Sequence, residues 1–190
     1  AYYSQDTLVL RDHATREPIA EVCLANSGLI SRDLRGDDWS DLQTLRTEDI
    51  FEIFKAAAKH FMEAELPVGD TGQTPEEFVA AQSATTGLPE VLCRRNMEKI
   101  QAAMANIGET IDGLTRGLDL ATLDEGYGRR DDHMVSFAPA ARRFGAVLPA
   151  NSPGVHALWL PAIALNMPVA LKPGQRQPGP CLRCWEVQSW

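Results

Sequence analysis

Val147-Leu148-Pro149-Ala150-Asn151-Ser152-Pro153-Gly154, followed by an apolar stretch of helical length and then by Pro168-Val169-Ala170-Leu171-Lys172-Pro173-Gly174, decides the fold. Phe144 to Leu148 is a short apolar run closed by a proline, the pattern of a strand that stops at Pro149. Ser152 is an N-cap residue type, and Pro153 stands at the first helical position, where a missing N–H is harmless. The second apolar run ends at Lys172. A connection of this length joins parallel strands, so the stretch is a strand, helix, strand unit of an α/β protein. In open parallel sheets ligands gather beyond the carboxyl ends of the strands, where Asn151 and Lys172 both lie. Pro161 falls inside the connecting helix and should kink it, because it removes an internal hydrogen bond.

Taken singly, an Asn after a strand is an ordinary turn former and a Lys before Pro-Gly an ordinary strand end. Their joint spacing across one unit is what carries information. With this pair of turns the chain resembles the aldehyde dehydrogenase superfamily, whose members carry a Pro-x-Asn turn after one cofactor-domain strand and a Leu-Lys-Pro turn after the next. Asn151-Ser152-Pro153-Gly154-Val155-His156, with Leu158-Trp159-Leu160-Pro161 behind it, is similar to a less common branch near the acyl-CoA reductases.

The resemblance implies an α/β fold in which helices lead into the first strand, helix, strand unit of a Rossmann-like cofactor domain, over residues 1–174. It also implies NAD or NADP as cofactor, a small-molecule aldehyde or acyl thioester as substrate, and a homo-oligomer. Asn151 then matches the catalytic asparagine whose amide donates to the oxyanion formed when a cysteine thiolate attacks the carbonyl. Lys172 matches the lysine that hydrogen-bonds the adenosine ribose. The backbone of Leu148, Pro149 and Ala150 would line the nicotinamide side of the cleft. Gln175 stands where the family usually has a second ribose ligand, a glutamate, and this departure leaves the choice between NAD and NADP open.

In that family the nucleophilic cysteine, the glutamate base and the pyrophosphate-contacting glycine turn lie well downstream of the Lys-Pro turn. None of Cys23, Cys93, Cys181 and Cys184 falls in the nucleophile's place. Residues 175–190 change character: they hold two of the four cysteines and two of the four tryptophans around Pro178-Gly179-Pro180, with no periodicity. The expectation is an N-terminal portion of such an enzyme, from a truncated or frame-shifted gene, with an atypical tail and a trimmed start before Ala1. The alternative is a catalytically inert product that binds cofactor weakly or associates with intact subunits.

A formal net charge of −8 argues against a nucleic-acid or anionic-membrane surface. There is no apolar run near the length of a membrane span, and Ala1 to Asp6 lacks the basic and apolar regions of a signal peptide, so the expected compartment is the cytoplasm. Four cysteines without framework spacing fit a reducing compartment.

Upstream, Thr7 to Asp12 and Pro18 to Leu24 read as a hairpin around a polar loop. Asn26 to Gln43 reads as a loop anchored by Trp39. From Thr47 a helix follows, with Glu48 and Asp49 at its start and Ile50, Phe54, Ala57 and Phe61 on one face. After a Gly69 to Gly72 loop, Thr74-Pro75-Glu76-Glu77 is a capping box that opens a helix ending near Gly87. Pro89 opens a longer helix with a seam of Cys93, Met97, Ile100, Met104, Ile107, Ile111 and Leu114, read as buried core rather than as a coiled-coil face, with Cys93 an inert core thiol. Gly117 to Arg130 reads as a loop, and His133 to Ala138 as a strand that the resemblance makes an oligomerisation element.

Rival chemistry is weak. Cys181-Leu182-Arg183-Cys184 is a single pair without the further ligands zinc requires, and nothing around it is arranged as a redox motif. Gly126-Tyr127-Gly128 lacks a third glycine and a preceding strand. Asp131-Asp132 sits beside Arg129 and Arg130 and reads as a solvated turn, and His156 as a helix-packing residue.

Overall fold

Thr74 fixes the register of the helical layer. In a computed structural model describing residues 4–36, 40–149 and 153–174, its hydroxyl accepts from the Glu77 amide at 3.2 Å while the Glu77 carboxylate accepts from the Thr74 amide at 2.8 Å. This reciprocal pair satisfies two otherwise free donors and starts the helix Pro75–Thr86. Gly87 ends it at φ 75°, a conformation glycine adopts without steric cost. A side chain at Gly87 would also collide with the His13 ring, and the His13 amide donates to Ala84 O at 2.6 Å. The N-terminal hairpin is thereby docked on this helix end.

In chain order the elements are β1 (Thr7–Arg11), β2 (Pro18–Cys23), α1 (Ser27–Arg35), α2 (Ser40–Thr44), α3 (Thr47–Glu63), β3 (Leu66–Val68), β4 (Thr71–Gln73) and α4 (Pro75–Thr86). There follow α5 (Glu90–Ala105), α6 (Ile107–Thr115), α7 (Leu120–Glu125), β5 (Tyr127–Arg130), β6 (His133–Ser136), β7 (Phe144–Val147), a 3₁₀ turn (Pro153–Leu158), α8 (Leu160–Ala164) and β8 (Val169–Lys172). Among the described residues the strands form four two-stranded sheets, three of them antiparallel hairpins and one, of β7 and β8, parallel. The architecture is mixed α/β, as expected.

The core lies where α3, α4, α5 and α6 meet the crossover between β7 and β8. Ile50, Phe54, Ala57 and Phe61 of α3 are all buried, and Phe61 meets Phe78 edge-on at 6.2 Å between ring centroids. The seam of α5 and α6 is buried from Cys93 to Ile111, and each of its fully buried large side chains contributes roughly 1.5–3 kcal/mol. It does not extend to Leu114, which is 62% exposed.

Four expectations are corrected. The long helix after Pro89 is two helices, broken at Asn106, whose side-chain amide folds back to donate to Ala102 O at 2.9 Å. The three- and four-residue spacing of Met104, Ile107 and Ile111 carries the seam across the break. Gly108 beyond it lets α3 approach, since a Cβ there would stand 3.3 Å from the Phe51 ring. The stretch Asn26 to Gln43 holds α1 and most of α2: the Asn26 side chain accepts from the Leu29 amide at 2.9 Å and so starts α1. Trp39 lies outside the described residues. Gly117 to Arg130 contains α7 and β5, with Asp119 capping α7 and Gly126 ending it at φ 77°. Gly69 to Gly72 is a tight hairpin turn whose last residues already belong to β4.

Helix α3 has no cap of its own, because Arg46 offers no side-chain acceptor. Asp124 of α7 supplies it from 77 residues away: its Oδ1 accepts from the Thr47 amide at 2.9 Å and from the Thr47 hydroxyl at 2.6 Å, with Arg46 at 3.4 Å. The Asp124 side chain is only 12% exposed. Burial pushes its carboxyl up, but the Thr47 hydrogen bonds and the Arg46 guanidinium outweigh this and hold it below the usual carboxylate range. Burial, with Glu90 nearby, pushes the Cys93 thiol up, which suits an inert core group.

Asp124→Ala is expected to cost about 1–2 kcal/mol in denaturant unfolding at neutral pH. A carboxyl held below its unfolded value of about 3.9 contributes fully above that pH and loses its contribution as pH falls through the folded value. The gap between wild type and variant should therefore close in acid; a gap that persists unchanged would contradict the cap. Cys93 should stay unmodified by a disulfide reagent at about pH 8 while half-buried Cys23 reacts, as read by peptide mass. Equal labelling of the two would show that the seam is open.

Candidate functional site at the parallel strand ends

Strands β7 and β8 pair in parallel with Phe144 opposite Val169 and Val147 opposite Lys172. The pairing is closed at both ends: the Phe144 amide donates to Pro168 O at 2.8 Å and the Leu148 amide to Lys172 O at 2.9 Å. Both strands therefore stop at the same level. This brings Leu148 and Pro149, which follow β7, alongside Lys172, which ends β8. Leu148 is buried, whereas Pro149 and Lys172 are exposed.

The connection differs in detail from a single kinked helix. The 3₁₀ turn Pro153–Leu158 breaks at Trp159, and α8 begins at Leu160 with Pro161 in its first turn, where proline is tolerated. Proline thus helps to start the second piece instead of bending one long helix. Trp159, Leu160 and Ala164 are buried against the helical layer, which anchors the crossover. Asn166 ends it at φ 57°, and its side-chain amide donates to Leu45 O at 3.1 Å. The sequence reading missed Asn166; its one local signal is that Asn, after Gly, is the residue type most often found in the left-handed conformation at a helix end.

Beside β7 lies an open apolar hollow of about 290 Å³, lined by Phe144, Val147, Leu148, Pro149, Val155 and Trp159 among others. Its lining among the described residues is apolar, which suits an apolar or flat ring surface. A larger hollow of about 500 Å³, around Glu65, Gly69 and Asp70, lies at the β3–β4 hairpin turn. It is shallow, is formed by one hairpin turn and the residue before it, and brings no distant residues together.

Of the residues carried over from the resemblance, Leu148, Pro149 and Lys172 are thus at one sheet end. Ala150, Asn151 and Gln175 lie outside the described residues, as do Ser152, Cys181, Cys184 and the rest of 175–190. Lys172 makes no ion pair and no side-chain hydrogen bond among the described residues. Gly126 and Gly128 serve packing: the first ends α7, and a side chain at the second would collide with the Thr122 hydroxyl. Asp131 and Asp132 form the exposed β5–β6 turn, with Arg129 to Asp132 at 3.4 Å. No three His, Cys, Asp or Glu side chains converge among the described residues, and no helix there is long and apolar enough to cross a membrane.

No family model and no curated protein matches this chain. Solved structures do. An oxidoreductase from Marinobacter aquaeolei matches with a TM-score of 0.73 at 17% identity, over 98% of this chain and 37% of that one. A Burkholderia cenocepacia protein assigned as an aldehyde dehydrogenase matches with 0.71 at 17%, over 97% and 35%. Betaine aldehyde dehydrogenase from Staphylococcus aureus, in complex with NAD+, matches with 0.67 at 17%, over 99% and 36%. The chain spans little more than a third of the length of these structures. At such identity the likeness is one of fold, and it covers nearly all of this chain: the described residues share the fold of a portion of these aldehyde dehydrogenase structures.

Proposed function

We propose that residues 1–174 are the N-terminal, cofactor-binding part of a NAD(P)-dependent oxidoreductase acting on an aldehyde or acyl thioester. The observation that carries this reading is the shared level of the two strand ends, fixed by the 2.9 Å bond from the Leu148 amide to Lys172 O. Strand ends of a parallel pair are where a nucleotide is expected to bind.

The residues present suit such a group. Lys172 offers an exposed cation with three donors and no competing partner among the described residues, which fits ribose hydroxyls. The apolar hollow beside Leu148, Pro149 and Trp159 offers a surface for a flat ring. When bound, the nicotinamide cofactor supplies the hydride-transfer chemistry. The chain's own part is to bind and orient: Lys172 holds the ribose, and Leu148, Pro149 and Ala150 form the adjoining wall. Asn151 donates its amide to the oxyanion that develops on the substrate carbonyl. Gln175 takes, by the resemblance, the place of the family's ribose-binding glutamate and, being neutral, brings no negative charge against a 2′-phosphate.

In this reading neither of the two described cysteines is the nucleophile. Cys93 is buried with a raised pKa, and Cys23 belongs to the hairpin docked on α4. The β5–β6 ribbon, with Tyr127 and Met134 exposed, is the element proposed to join copies in a homo-oligomer.

Calorimetric titration with NAD and NADP is expected to show binding that Lys172→Ala weakens about tenfold, the loss of one charge-assisted hydrogen bond. Equal affinity in wild type and variant, or no binding by a folded wild-type chain, would overturn the proposal.

A further inference from the structure

The left-handed turn at Asn166 needs no asparagine. Glycine takes a φ of 57° without steric cost and would end α8 equally well: the Asn166 amide donates to Ile163 O at 2.9 Å and the Met167 amide to Ala162 O at 2.9 Å, bonds any residue can make. What asparagine adds is its side chain. The Nδ2 donates to Leu45 O, while Oδ1 is buried with no partner among the described residues. An unpaired buried carbonyl oxygen is unfavourable, so the side chain is not the most stable occupant of the turn for its own sake.

The place of the bond gives the reason. Leu45 lies in the link between α2 and α3, two residues before Thr47, whose amide and hydroxyl are held by Asp124. Asn166 stands three residues before β8, which runs to Lys172. The bond is therefore a polar tie between the fixed start of α3 and the chain entering β8.

We infer that Asn166 is a positioning residue, which ties the entry of β8 to the α2–α3 link through Leu45 O and so holds Lys172 level with the end of β7. The consequence for cofactor binding rests on the function proposed above; the tie itself does not. Asn166→Gly keeps the turn and removes the tie. Asn166→Asp keeps the shape but sets a carboxylate, which can only accept, against the Leu45 carbonyl.

The test is amide hydrogen exchange on the 190-residue chain. The Phe144 and Leu148 amides report β8 directly, since their acceptors are Pro168 O and Lys172 O. In Asn166→Gly they should exchange about tenfold faster, with the α5 amides from Met97 to Met104 unchanged, the signature of a local opening. Asn166→Asp should match or exceed this. NAD(P) affinity should fall in both variants at a temperature where both are folded. Unchanged exchange at Phe144 and Leu148, or a uniform rise that includes α5, would overturn the inference. If wild type binds no cofactor, the proposed function fails, and the exchange data still decide whether the tie exists.

Discussion

Two parallel strands cannot be joined by a tight turn, and the fold depends on how this chain meets that constraint. From Leu148 to Pro168 the polypeptide must leave the end of β7, travel back and re-enter beside its start. Backbone bonding of two four-residue strands is too little to hold such a connection in water. The crossover is held because Trp159, Leu160 and Ala164 are buried against the helical layer. The parallel strand pair is thus stable only as an appendage of helices that precede it by up to a hundred residues.

Those helices are fixed in turn by polar contacts at their ends. Asp124 caps α3 from a distance, Thr74 and Glu77 start α4, and Gly87 stops it against His13. Each contact sets where a helix begins or ends, and burial of the seam sets how the helices lie together. The outward side of the strand unit is different: Val147 and Leu158 are 77% and 76% exposed. Parallel sheets are normally covered on both faces.

What the sequence disclosed was local. The capping box, the glycine stop, the α3 face and the two strands around the crossover are written in consecutive residues, and they stand where expected. The helices α1 and α7 were illegible for opposite reasons. Helix α1 carries Leu29, Ile30 and Leu34 on one face among polar and charged residues, but none of its side chains is buried, and only the Asn26 cap marks its start. Helix α7 has six residues, too few for a period, and its purpose is the contact of Asp124 with Thr47, which no local pattern announces. The break at Asn106 was hidden because the apolar spacing passes through it unchanged. Asn166 was hidden because its partner is 121 residues away. At the site, the strand ends were legible through Pro149 and Lys172, and the tie that levels them was not.

The central claim is that β7 and β8 pair in parallel within these 190 residues. Nuclear Overhauser contacts between backbone protons of the isotope-labelled chain test it most directly. The expected result is cross-strand contact in the register Gly145 with Ala170 and Val147 with Lys172, with a protected Leu148 amide. Coil-like shifts over residues 144–148 and 169–172 in an otherwise folded chain, or contacts in another register, would contradict the account.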